Sequence, residues 1–158
     1  IQVVATDHCP FMPDEKRAYA KDFRDCPGGV PGVEERMPLI FSEGVLAGRI
    51  SLPDFVRVTS TSAAKIFGLY PKKGTLLPGS DADIVLIDPR REHTLTASDL
   101  HSTCGWTPYE GMTVRASIAL TMLRGEVIAR EGTFLGQRGY GQFLQRKRNV
   151  PYEDIVRC

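Results

Sequence analysis

The chain has 158 residues, 42% hydrophobic and 25% charged, which suits one globular domain or parts of two. A formal net charge of +1 gives no global electrostatic case for nucleic acid or an anionic membrane surface. No apolar run reaches the roughly 18 residues that a transmembrane helix needs.

The chain opens on Ile1-Gln2-Val3-Val4-Ala5-Thr6-Asp7. Gln2 to Thr6 is short, apolar and β-branched, which predicts a buried strand. A protein does not ordinarily begin inside its own core, so residues upstream of Ile1 are expected to be missing. Ile1 to Thr6 does not itself read as a basic leader or a signal peptide. Asp7 to Pro31 reads as a long loop carrying Pro10, Pro13, Pro27, Gly28, Gly29 and Pro31. A loop of that length within a compact fold is usually functional or disordered.

From Val33 the apolar residues Val33, Met37, Ile40, Phe41, Val45 and Leu46 recur at helical spacing, with Glu34 and Glu35 favouring the N-terminal end. Pro38 must fall in or near the first turn, so the regular helix begins later than Val33. Ser51-Leu52-Pro53-Asp54 is a helix start: an N-cap serine, then proline and an acid in the first turn. A second short helix is expected from about Thr61 to Phe67, closed by Gly68.

After Tyr70 the pattern turns to β. Ala82 to Ile87 predicts a buried strand, and His93 to Thr96 and Thr113 to Leu123 predict two more. Arg124-Gly125 is a turn signal, Glu126 to Arg130 an alternating strand, and Glu131-Gly132 its end. The segment from Gly136 onward, with Arg138, Arg146, Lys147 and Arg148, reads as an extended basic arm. The order of strand, long loop, helices and strands fits a small α+β domain. It also fits the end of a (β/α) barrel joined to part of a β domain, and the abrupt start favours the second.

Chemistry is sparse in this chain. Asp7 directly follows an apolar strand, and a carboxylate there can bind a metal and take a proton from water. It can equally cap its own loop. His8 is its neighbour and would point elsewhere if strand geometry persists. His93 and His101 lie far along the chain and read as ordinary polar residues. Hydrolytic zinc needs three or four protein ligands. No His-x-His, His-Glu-x-x-His, Cys-x-x-Cys or Gly-x-Ser-x-Gly is present, so no complete catalytic constellation is predicted. Cys9, Cys26, Cys104 and Cys158 are expected to be free thiols in a cytoplasmic protein. Pro27-Gly28-Gly29-Val30-Pro31-Gly32 is a stiff, bare turn whose backbone groups could approach a flat ligand, or a simple loop.

Several stretches together resemble a known family. Ala5-Thr6-Asp7-His8-Cys9-Pro10-Phe11 looks like the end of the eighth barrel strand in dihydropyrimidinases and hydantoinases. Pro31-Gly32-Val33-Glu34-Glu35-Arg36, Ser42-Glu43-Gly44-Val45 and Thr59 to Gly74 match in order. So do Gly79-Ser80-Asp81-Ala82-Asp83-Ile84-Val85, Thr107-Pro108-Tyr109-Glu110-Gly111 and Arg124-Gly125-Glu126-Val127. The likeness runs from Ile1 to about Leu144.

The resemblance implies an α/β fold, namely the C-terminal end of a (β/α)8 metal-dependent hydrolase barrel plus the C-terminal part of a β-sandwich domain. It places the last barrel strand, substrate loop and helices in residues 1–73, sandwich strands in 74–135 and an arm in 136–158. It implies two divalent metals, usually zinc, held by a carbamylated lysine, four histidines and one aspartate. The aspartate matches Asp7, which would bind a metal, act as base toward the attacking water and then as acid toward the leaving nitrogen. The lysine and histidines have no match here. A substrate loop that offers its main chain from an Asn-Gly pair matches Gly28 and Gly29, with Gly28 in place of Asn.

The implied activity is hydrolysis of C–N bonds in dihydropyrimidines or hydantoins by a cytoplasmic homodimer or homotetramer, as in pyrimidine catabolism. Its partner is a small cyclic amide or ureide, not nucleic acid or membrane. Runner-up readings are an allantoinase or dihydroorotase-type hydrolase and a non-catalytic scaffold relative. The intact Thr-Asp-His-Cys-Pro-Phe stretch favours the enzyme. Pro71-Lys72-Lys73-Gly74 and the Thr107-to-Gly111 stretch favour the hydantoinase branch.

Overall fold

A computed structural model of the chain describes residues 1–146; Lys147, Arg148 and Cys158 lie outside them. Helices occupy the first half and antiparallel strands the second. The helices are α1 (Pro13–Arg17), α2 (Arg36–Ile40), α3 (Leu52–Val56) and α4 (Ser62–Ile66). The strands are β1 (Ile84–Asp88), β2 (His93–Thr94), β3 (Thr113–Val114), β4 (Ser117–Leu123), β5 (Glu126–Arg130) and β6 (Thr133–Phe134).

Several helix ends follow the sequence. Ser51 Oγ accepts from the Asp54 N–H at 3.1 Å and caps α3. Gly68 closes α4 in the left-handed conformation at φ 68°. Other boundaries differ. The regular helix begins at Arg36, later than Val33 as expected from Pro38, but it then widens into a π-helical run, Phe41–Leu46. A second π-helical run, Arg57–Thr61, joins α3 to α4, so these are one continuous rod rather than two helices. Within it Thr59 Oγ1 donates to the Phe55 carbonyl at 2.7 Å, a bond that competes with regular helical pairing. The predicted loop from Asp7 to Pro31 contains α1, whose Met12 N–H donates to Glu15 Oε2 at 2.6 Å.

Strands β1, β4, β5 and β6 form one antiparallel sheet in the order β1-β4-β5-β6, and β2 pairs with β3. The hairpins follow from positive φ at both central residues, Arg124 (47°) with Gly125 (87°) and Glu131 (48°) with Gly132 (78°). That is type I′ geometry, which matches the twist of the flanking strands. Four expectations are corrected. Gln2 to Thr6 joins no ladder among the described residues, with Gln2 and Ala5 exposed and Val3, Val4 and Thr6 half-buried. The strand expected over Ala82 to Ile87 is not buried throughout, since Val85 and Leu86 are exposed. The strand at His93 stops at Thr94. The strand over Thr113 to Leu123 is interrupted because Val114 and Ala116 are fully buried against the helices. There the Arg115 N–H donates to the buried Ser42 Oγ at 3.1 Å, which takes that group out of the sheet.

The core has two small clusters. Leu39, Leu95 and Val114 pack with Tyr109, and Phe41, Phe55 and Ala116 pack with Met37, Ile40, Val45, Ile50 and Ile87. The Phe41 and Phe55 rings meet edge to face at 5.3 Å. Gly74 locks the β half to the helical rod. Its φ is +82°, its carbonyl accepts from Thr61 Oγ1 at 2.8 Å, and an added Cβ would lie 2.5 Å from Ala64 Cβ. Gly74→Ala is therefore expected to cost about 1–3 kcal/mol from overpacking, plus the left-handed penalty. Chemical unfolding of the full-length protein checks this, and Ala64→Gly added to Gly74→Ala should recover the steric part alone.

The chain exposes 10933 Å² for 17.5 kDa, against about 7900 Å² expected for a compact monomer of that mass. Exposed apolar groups include Leu76, Phe134 and Leu135, along with the edge-strand residues Val85 and Leu86. Such surface drives association. Produced alone, the 158 residues are expected to aggregate on size exclusion with light scattering. A monodisperse, cooperatively melting monomer would contradict this.

Candidate functional site

Residues 1–12 run past the helices and meet the glycine-rich loop. On the incoming side the Val4 N–H donates to the Val58 carbonyl at 3.0 Å, and Arg36 Nη1 donates to the Val4 carbonyl at 3.3 Å. Asp7 follows in the left-handed region at φ 47°, which aspartate tolerates better than most side chains. It is exposed, and its carboxylate makes no hydrogen bond or ion pair among the described residues. On the outgoing side the Cys9 N–H donates to the Val30 carbonyl at 3.1 Å. His8 Nδ1 accepts from the Gly32 and Val33 N–H groups at 3.1 and 3.3 Å.

Gly29 is packed directly on this segment. At φ +133° it sits where an added Cβ would lie 2.6 Å from Cys9 Cβ and 2.7 Å from the Cys9 carbonyl oxygen. Gly28, beside it, has nothing within 4 Å of an added Cβ. So Asp7 and the Gly28–Gly29 turn are brought together through His8 and Cys9. Two further bonds brace the loop. Lys16 Nζ donates to the Pro27 carbonyl at 2.9 Å, and Trp106 Nε1 donates to the Phe11 carbonyl at 2.8 Å.

The second layer comes from paired acids ahead of α2. Glu35, 2% exposed, accepts from Thr107 Oγ1 at 2.6 Å. Glu34 accepts from the His101 N–H at 2.9 Å and meets its Nδ1 at 2.8 Å. These bonds pull the 101–111 segment against Gly32, where the Tyr109 ring lies 3.6 Å from where a Cβ would stand. His101 is thus a structural partner, and His93 is an exposed strand residue. Lys16, Trp106 and the His8 acceptor went unremarked in the sequence. Of these only Trp106, the single tryptophan, carries a signal that could have found it, since an indole N–H seeks a hydrogen-bond acceptor when buried.

Among the described residues no group of three or more His, Cys, Asp or Glu side chains converges on a point. The donor set still fits part of a metal centre: Asp7 offers a free oxygen ligand. His8 does not, because its Nδ1 lone pair is taken by two backbone N–H groups. A concavity lies elsewhere, between Glu34 and Pro38 on one side and His93, Leu95, Ile118 and Phe134 on the other. It is open and apolar; Glu34, Glu35 and His101 line it, while Asp7, His8, Gly28 and Gly29 do not. Cys9, Cys26 and Cys104 are free thiols.

The Amidohydrolase family profile matches residues 2–128. The chain belongs to the amidohydrolase family. It is 51% identical over 152 residues to a D-phenylhydantoinase of Escherichia coli O1:K1 / APEC, covering 96% of this chain and 33% of that protein. A D-hydantoinase (dihydropyrimidinase) structure from Thermus sp. superposes with a TM-score of 0.89 at 39% identity, over 92% of this chain and 32% of that one. An L-hydantoinase (dihydropyrimidinase) from Arthrobacter aurescens gives 0.86 at 38%, with the same coverage. The chain therefore spans about a third of the length of the relatives it matches.

Proposed function

We propose that these residues form the closing third of a metal-dependent cyclic-amide hydrolase of the hydantoinase and dihydropyrimidinase type. Residues 1–73 would supply the end of its (β/α)8 barrel with the substrate loop, residues 74–135 part of a β-sandwich, and 136–158 an arm. One observation carries the reading. In a member of the amidohydrolase family, Asp7 is a carboxylate with no partner among the described residues, and the two residues that follow it, His8 and Cys9, are bonded to and packed on the glycine-rich turn.

Asp7 would hold one of two divalent metals, for which we propose zinc, with the remaining ligands supplied from outside these residues. When bound, such a metal supplies the Lewis acidity that makes water a nucleophile near neutral pH and polarises a carbonyl. Asp7 accepts the proton of the attacking water as the new O–C bond forms. It then returns that proton to the ring nitrogen as the C–N bond breaks, leaving a carboxylate and a ureido or amide N–H. The main chain at Gly28 and Gly29 orients the cyclic amide, whose edge offers one donor and one acceptor. Nothing at Gly28 fills the space a side chain would take, which leaves that edge open. The exposed apolar edge strands support burial against the rest of the polypeptide, and we extend that to copies of it in a dimer or tetramer.

The test is a substrate panel on zinc-loaded full-length protein: dihydrouracil, hydantoin, allantoin and dihydroorotate. Ring opening of the first two is expected. Preference for allantoin or dihydroorotate would move the assignment to those hydrolases. No turnover of any ring would overturn the enzyme reading in favour of a scaffold.

A further inference from the structure

We propose that His8 is a positioning residue that couples the Asp7 carboxylate to the glycine-rich turn through its Nδ1. This rests on the roles proposed above for Asp7 and Gly28–Gly29. Two backbone N–H groups, of Gly32 and Val33, converge on that single nitrogen at 3.1 and 3.3 Å, across 24 and 25 residues of chain. Nδ1 must therefore carry its lone pair and Nε2 the proton, so the ring is an acceptor inward and is unavailable as a neutral metal ligand.

The position of the ring has two consequences. Asp7 stands in the left-handed region, a conformation that persists only when its surroundings over-determine it. On its outgoing side that constraint comes from the His8 ring and the Cys9-to-Val30 bond. The same ring anchors the exit of the turn containing Gly28 and Gly29. Gly32 itself lies beside Thr6 and Tyr109, so the anchored end of the loop faces both the incoming segment and the 101–111 segment. One side chain thus sets the carboxylate and the main-chain edge relative to each other. Loss of the acceptor would leave the partly buried Gly32 N–H and the exposed Val33 N–H without their side-chain partner and free the turn.

The experiment compares His8→Leu, His8→Asn and His8→Gln in the zinc-loaded full-length protein. Asn places an oxygen near the Nδ1 position, Gln places its acceptor one bond further out, and Leu has none. Two readouts are taken: amide hydrogen exchange at Gly32 and Val33, and kcat and KM on dihydrouracil. His8→Leu is expected to speed exchange at both amides by about tenfold or more, the loss of roughly one hydrogen bond each. It should also lower kcat/KM by about tenfold or more, with a raised KM carrying part of the loss. His8→Asn should bring both readouts back to within about threefold of wild type, a fraction of one hydrogen bond, and His8→Gln should not. Wild-type exchange and kinetics in His8→Leu, or His8→Asn no better than His8→Gln, overturn the proposal. If His8→Leu does not fold, the Asn–Gln comparison decides. If wild type opens no cyclic amide, the hydrolase reading fails, while exchange at Gly32 and Val33 still decides whether His8 holds the turn.

Discussion

Asp7→Asn in the full-length protein is expected to lower kcat for ring opening by about 10²–10⁴-fold, the range for removing a positioned acid–base group. The fold should survive. Asparagine matches aspartate in shape and is among the few residues that accept a φ of 47°. The carboxylate makes no hydrogen bond or ion pair among the described residues, so its neutralisation removes no structural partner. Circular dichroism and melting temperature should match wild type while turnover is lost. Asp7→Ala should be worse on both counts, because alanine at that φ adds backbone strain.

The second large effect falls on the glycine turn, and the two glycines should part company. Gly29→Ala meets Cys9 Cβ and the Cys9 carbonyl oxygen, at a φ of +133° that L side chains rarely adopt. Strain and overpacking of about 1–3 kcal/mol each must move the turn or the Cys9 segment. A rise in KM of about tenfold or more is expected, since about 1.4 kcal/mol is a factor of ten in affinity. A fall in kcat should accompany it, because the displaced segment carries Asp7. Truncating the Cys9 side chain relieves only part of this, since the carbonyl clash remains. Gly28→Ala meets no atom within 4 Å and should change melting by less than about 0.5 kcal/mol. Steady-state kinetics and thermal melts of the two variants side by side check the contrast.

Features fixed by local chemistry were legible in the sequence. Ser51 caps α3, Gly68 ends α4, β5 spans Glu126–Arg130, and the pairs Arg124-Gly125 and Glu131-Gly132 make the hairpins. Asp7 and the glycine turn were also singled out, and the chain brings their segments into contact. What the pattern hid depends on tertiary partners. Gln2 to Thr6 has the composition of a strand, but a strand exists only where a neighbour completes its ladder. The run at Thr113 breaks because Val114 and Ala116 are drawn into the helices, which alternation alone cannot foretell. The π-helical joins at Phe41–Leu46 and Arg57–Thr61 leave apolar spacing almost unchanged. Helix α1 did leave a signal: Pro13, then Asp14 and Glu15, then Lys16 and Arg17. It is short enough for the surrounding prolines to mask it. His8 was unreadable as a positioning group because its donors lie beyond the turn.

The proposed role of Asp7 is to give this segment's carboxylate to a metal centre that opens cyclic amides. It is tested most directly by zinc content and dihydrouracil turnover in the same samples of wild-type and Asp7→Asn full-length protein, during dialysis against increasing chelator. Wild type should hold zinc and open the ring. Asp7→Asn should release zinc at lower chelator concentration and turn over negligibly even when reloaded. Equal zinc retention and equal turnover in the two proteins would contradict the claim.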